Sequence, residues 1–243
     1  MGTSGAGAED DDVVIDLTVG ALLEPRDDTP ELVELRPPAN PGVPGASARR
    51  EFERRRTGAT GSIATILSDD VSATPGRSAA GTAPERVAAV LSERLDGRAV
   101  LLHDRSVART RGTADLLVVA ATGVWVIGVE PCAGAVEHRE VGGFFRTEQR
   151  LHVGGRDRTR AVDGLTWQHG AVVGALADDR VPVQAALCCT GTRCTPPAEP
   201  FLVDEVWITS PATLADLVGD PGPLGPGDVD RVARHLAAVL PAR

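Results

Sequence analysis

Apolar residues recur with a regular period only beyond about residue 81. PERVAAVLSERL, beginning at Pro84, puts Val87, Val90, Leu91 and Leu95 on one helical face. Its proline falls in the first turn, where a missing N–H costs nothing. Three apolar runs then predict strands: RAVLLHD at 98–104, TADLLVVAA at 113–121 and GVWVIGVEP at 123–131. AVEHREV at 135–141 and GFFRTEQRLHVGG at 143–155 read as a hairpin-like pair, with Gly142-Gly143 and Gly154-Gly155 as turn signals. A long helix is predicted over 158–177, with Val162, Leu165, Val172, Val173 and Leu176 as its apolar stripe. VPVQAALCCTG is almost continuously apolar, the pattern of a strand buried on both faces. FLVDEVWIT reads as one more strand, PATLADLVG as a short helix and DVDRVARHLAAVL as a closing amphipathic helix. The pattern is α/β: a mixed sheet flanked by helices.

Residues 1–80 behave differently. RPPANPGVPGA at 36–46 has no period, and a stretch so rich in Asp, Pro, Gly and Ala buries too little apolar surface to offset chain entropy. The expectation is a mostly disordered tail over 1–80 and one domain over 81–243. Within the tail, ARREFERRR at 48–56 reads as a short basic helix with Glu51 and Arg55 four residues apart. SIATIL can form a turn of helix, and the apolar-acidic piece VVIDLTVGALLEP is a candidate contact for a protein partner.

Charge sharpens this division. The formal net charge is −9, but residues 1–50 hold ten acids against four arginines, whereas 81–243 hold twenty against seventeen. The predicted domain is therefore nearly neutral, which weighs against a strong general binder of polyanions. Every one of the 25 basic residues is arginine. No apolar run is long enough to span a bilayer, so no membrane partner is expected. The N-terminus lacks a basic region leading into an apolar stretch, and the Gly2 context does not fit myristoylation. A cytoplasmic location is expected. Cys132 stands alone, while Cys188, Cys189 and Cys194 cluster. Adjacent cysteines on a strand point to opposite faces and no CxxC or companion histidine completes a zinc set, so buried thiols are expected. The five histidines are scattered, and neither a P-loop nor a dinucleotide fingerprint occurs.

From about Ser47 to Leu240 the chain resembles the NERD (nuclease-related domain) family, in its actinobacterial form. SARREFERRR, SDD, RVAAVLSERLDG, ADLLVV, TGVWVIG, GGFFRTEQRLHVGGRDRT and VDGLTWQ carry the likeness, the segment 142–168 most specifically. The resemblance implies a restriction-endonuclease-like αβββαβ core and descent from metal-dependent DNA-cleaving enzymes of the PD-(D/E)XK type. In such enzymes an acid opens one strand, and a second acid and a lysine stand one residue apart near the end of the next. Asp115 matches the first acid, but the other two places hold Gly128 and Glu130. Gln168 matches a family glutamine on the long helix. The acid of the family's first helix falls near Pro84-Glu85, reaching Glu85 only with a one-residue slip.

Hydrolysis of a phosphodiester by this route needs two carboxylates to hold Mg²⁺ and a cation to orient the water and stabilise developing charge. With glycine for the second acid and no lysine in the chain, the expectation is a domain that has lost the reaction and is kept as a nucleic-acid-binding or scaffold module. Asp115, Glu130 and Gln168 are then site remnants. No cofactor is expected. The alternatives are a residual Mg²⁺-dependent DNA endonuclease, with Asp115, Glu130 and Glu85 on the metal, and a protein-interaction module working through the acidic tail. If DNA binds, Arg146, Arg150, Arg156, Arg158 and Arg160 are the candidate phosphate contacts, and Gly154-Gly155 before the helix offers amides to an anion. The bland reading pairs those arginines with Glu148, Asp157 and Asp163. It makes Asp115 a strand residue paired with a neighbour such as Arg111, and Glu130 a solvated strand-end charge.

Overall fold

The computed structural model describes Leu35 and residues 38–58, 82–107, 113–143 and 146–243. The expectations for 59–80, for VVIDLTVGALLEP and for Arg111 lie outside the described residues. The basic segment forms α1 (Ala46–Gly58) and the first predicted domain helix forms α2 (Ala83–Leu95). Then come β1 (Val100–Ser106), β2 (Thr113–Ala120), β3 (Gly123–Gly143), β4 (Arg146–Val153) and β5 (Arg156–Asp157). The long helix α3 (Thr159–Leu176) leads into β6 (Val183–Thr195), β7 (Phe201–Val203) and β8 (Val206–Thr209), and α4 (Pro211–Gly219) and α5 (Pro226–Val239) follow.

One mixed sheet runs β1-β2-β3-β6-β8-β7. β1, β2 and β3 are mutually antiparallel, whereas β6 lies parallel to β3 and to β8. Helices cover both faces. On one, Val87, Leu91 and Leu95 of α2 and Leu214 and Val218 of α4 meet Leu116, Val118, Trp125 and Ile127. On the other, Leu165 and Val172 of α3 and Val232 and Leu236 of α5 meet Leu117, Val119, Val126 and Leu187. β6 supplies both cores, Cys188 to one and Cys189 to the other, as an almost continuously apolar strand must.

Three elements differ from expectation. GVWVIGVEP and AVEHREV are one strand of 21 residues that changes partner, pairing with β6 over 124–135 and with β4 over 136–143. Pro131 and Gly134 read as punctuation in the sequence, but they mark only a register shift between Pro131 and Ala133. FLVDEVWIT is not a single strand: Asp204 and Glu205 both take positive φ (46° and 65°) and turn β7 back on β8. A turn with both central residues left-handed matches strand twist, though it normally advertises itself with Asn or Gly. Finally, Val173 lies outside the α3 stripe, 41% exposed.

The tail boundary also moves. Residues 38–45 were expected to be disordered, but Asn40–Gly42 lie along β1, where the His103 amide donates to the Pro41 carbonyl at 2.7 Å. A Cβ on Gly42 would stand 2.1 Å from the His103 carbonyl oxygen, so glycine is required there. Arg105 explains the attachment. Its side chain is fully buried, yet it donates to the carbonyls of Asn40 on this strap and of Ala237 and Leu240 at the end of α5. Those last helical carbonyls have no intrahelical partner and carry partial negative charge. Farther along β1, the Ser106 amide donates to Pro241 and the Arg243 amide to Asp104, which covers the strand edge.

Candidate functional site

The place to look is where β2 begins and the buried part of β3 ends. β2 and β3 pair Leu116 with Ile127, so one step farther Asp115 stands alongside Gly128. The Asp115 carboxylate accepts the Val129 amide at 3.3 Å. Burial pushes its carboxyl up to about 6; the Val129 hydrogen bond opposes that rise and the charge of Asp104 adds to it. Asp104 is a residue the sequence reading missed. It lies between the His103–Leu116 and Arg105–Ala114 pairs, opposite Asp115, with φ of +48° and 1% exposure. Its Oδ2 is enclosed with no hydrogen-bond partner. The available signal was an acid at the end of the apolar run AVLLHD, which reads equally well as a solvated strand end.

Gly128 is not an empty berth. A Cβ built there would meet Leu187 Cδ1 at 3.2 Å and both Leu165 methyls at 3.5 Å. Two leucines, one from β6 and one from α3, therefore occupy the direction in which a second carboxylate would project. Glu130, two residues on, is half-buried and faces Arg158, with Nε 3.6 Å from Oε1. It opens on a groove of about 1080 Å³ walled by β4, the start of α3 and Asp204.

The chain builds this groove with local hydrogen bonds. The Arg158 amide donates to the Leu151 carbonyl, and the Leu151 amide donates to Thr159 Oγ1, which ties β4 to the head of α3. Just ahead of the helix, Asp157 accepts the Thr159 amide at 2.8 Å, and the Thr159 hydroxyl and amide, with Arg150 nearby, hold its carboxyl below the usual range. Five acids (Glu130, Glu148, Asp157, Asp163 and Asp204) line the groove against three arginines, Arg150, Arg158 and Arg160.

The predicted arginines thus divide. Arg150 bonds Glu148 and Asp157, both at 3.2 Å, and Arg158 faces Glu130. Arg156 and Arg160 are exposed at β5 and the first turn of α3. Arg146 pairs with Gly143 through the backbone at the start of β4, at the tip of the ribbon. Gln168 lies on α3 one turn beyond Leu165, with its Oε1 enclosed and unpartnered. Glu85 is engaged elsewhere: its carboxylate accepts the Thr82 amide at the head of α2 and pairs with Arg49 of α1. Among the described residues, no three His, Cys, Asp or Glu side chains are grouped so as to hold a metal ion.

The cysteines correct an expectation. Cys132 and Cys194 are joined by a disulfide across the register shift between β3 and β6, with Cα atoms 5.2 Å apart. Gly191 lets the strands approach there, since a Cβ on it would lie 2.2 Å from the Cys132 carbonyl oxygen. Cys188 and Cys189 are buried thiols, with Cys189 pushed up to about 12 by burial and the Glu130 charge. The disulfide suits an oxidising compartment better than the reducing cytoplasm the sequence suggested. Among the described residues no helix is long and apolar enough to cross a membrane.

Comparison with family models, curated proteins and solved structures finds no match to this chain.

Proposed function

We propose that this protein is a nuclease-related domain of restriction-endonuclease-like architecture that no longer hydrolyses nucleic acid and serves as a binding or scaffold module. The observation that carries the reading is the packing at Gly128: Leu165 and Leu187 fill the place beside Asp115 where a second metal-holding acid would stand. The remaining groups fit Mg²⁺ poorly. Asp115 is already engaged by the Val129 amide, and its carboxyl is pushed toward the neutral form. Glu130 faces a guanidinium and occupies the lysine place with the wrong sign. A hard cation needs several ionised oxygen ligands converging on one point.

The groove beside Glu130 supports binding rather than catalysis. Its surplus of acids, and the pairing of Arg150 and Arg158 with them, favours a protein segment of mixed or positive charge over a polyanion. A nucleic-acid role has one observation in its favour: Arg156 and Arg160 are exposed close to the groove. The deciding experiment incubates the purified chain with single- and double-stranded DNA in Mg²⁺ or Mn²⁺, alongside Asp115→Ala. The expected result is no metal-dependent cleavage by either. Scission by the native chain that Asp115→Ala abolishes would establish a working nuclease instead. DNA affinity that falls steeply with salt, and falls further in Arg156→Ala/Arg160→Ala, would assign the module to nucleic acid.

A further inference from the structure

Helix α3 is uncharged from Gly164 to Ala177, fourteen residues in a row. A helix without charges on its outer side is normally buried there too, yet only one side of this one is covered, and Thr166 is the one hydroxyl among its exposed residues from 164 to 177. Val162, Leu165, Val172 and Leu176 enter the core, while Gly164, Trp167, Gly170, Val173, Gly174 and Ala177 face outward and are exposed. Trp167 is 46% exposed. Its neighbour on the same side of the sheet solves the same problem conventionally: α5 carries Asp228, Asp230, Arg231 and Arg234 as i,i+3 and i,i+4 ion pairs.

The glycines deepen the contrast. A Cβ added at Gly164, Gly170 or Gly174 meets nothing within 4 Å, so the fold of the single chain does not require them. Each costs about 1 kcal/mol of helix propensity relative to alanine. What they provide is a smooth outer surface on which another backbone can lie close, with Trp167 beside it as an anchor.

The ends of this face indicate what covers it. Exposed Arg160 stands in the first turn, ten residues before Gly170, and exposed Asp179 in the turn after the helix, nine residues beyond it. A two-fold axis near Gly170 would bring a second α3 antiparallel to the first. It would set Arg160 against Asp179 of the other copy twice, and Trp167 over the partner's Gly170–Gly174 surface. We propose that the outer face of α3 is a self-association surface that pairs two copies of this chain antiparallel about a two-fold axis at Gly170. The contact is self-complementary, as a closed dimer requires. The uncharged stretch is about 20 Å long, so the interface falls below standard size and the dimer is concentration-dependent.

Analytical ultracentrifugation of the full chain over a concentration series tests this. The native chain is expected to pass reversibly from monomer to dimer. Gly170→Arg should weaken dimerisation at least about tenfold without lowering the melting temperature of the monomer, because its side chain enters open space on a helix. Arg160→Asp should also weaken it, and Arg160→Asp with Asp179→Arg should restore it. A chain that stays monomeric throughout overturns the proposal and leaves the face to a different protein. A dimer indifferent to Gly170→Arg, or one the double exchange fails to rescue, overturns it equally.

Discussion

β3 is one strand in two environments. Over 123–127 it is enclosed by helices on both faces, whereas over 131–142, where it leaves β6 and from Val136 forms a ribbon with β4, only Cys132 and Val136 are buried. The groove opens where the two regimes meet, at residues 128–130. A charged group placed deeper would be desolvated, and one placed farther out would be screened by water. The junction is the only part of the strand where a carboxylate can be both held and reached. Here leucines pack against Gly128 on the inner side, and Arg158 faces Glu130 on the outer.

The largest expected contrast is in packing. Trp125 is 2% exposed, and its indole N–H donates to Thr122 Oγ1, which in turn donates to the Val218 carbonyl. Trp125→Ala should cost about 4 kcal/mol in denaturant unfolding. Val141→Ala on the exposed ribbon should stay within about 0.5 kcal/mol. Comparable losses at the two sites would mean that the ribbon is as much core as the buried half.

The disulfide sits at the boundary between the halves and ties residues 62 apart in sequence. Replacing both Cys132 and Cys194 with serine should cost about 2–5 kcal/mol, and hydrogen exchange should rise in the ribbon before it rises in 123–127. Uniform loosening of the whole strand would show that the cross-link supports the core rather than the junction.

A smaller effect sharpens the electrostatic side. Asp115 has a folded pKa of about 6 against an ordinary value of 3.8, so the folded state holds its proton more tightly than the unfolded chain. Its contribution to stability is greatest at low pH, declines as pH rises from about 4 to about 6, and is constant above. Asp115→Asn, which keeps an acceptor for Val129, should therefore gain up to about 3 kcal/mol over the native chain above pH 6 and nothing near pH 3. Equal stability of the two proteins across this range would show that the carboxylate is well solvated.

Much of the fold was legible because the apolar periods are strong. α2, β2, α5 and the two-sided burial of β6 follow directly from spacing. What sequence hid was long-range. Nothing around Pro131 and Gly134 distinguishes a strand that ends from one that changes partner, because the answer lies with β6 and β4. Asp204-Glu205 makes a left-handed turn without a glycine to announce it. Cys132 and Cys194 become neighbours only once two parallel strands are laid side by side. At the site, Asp115, Gly128 and Glu130 could be singled out in the sequence, but Asp104 was not. Its importance comes from the β1–β2 register, which no local pattern encodes.

The buried guanidinium of Arg105 has a practical corollary. Composition suggests that the autonomous folding unit begins near residue 81, and a gene fragment trimmed there would look sensible. Such a fragment would leave the Arg105–Asn40 and His103–Pro41 bonds unmade, although every strand of the sheet and the helices on its two faces would still be encoded. The minimal heritable module of this protein therefore includes a proline-rich leader whose composition alone would have marked it as dispensable.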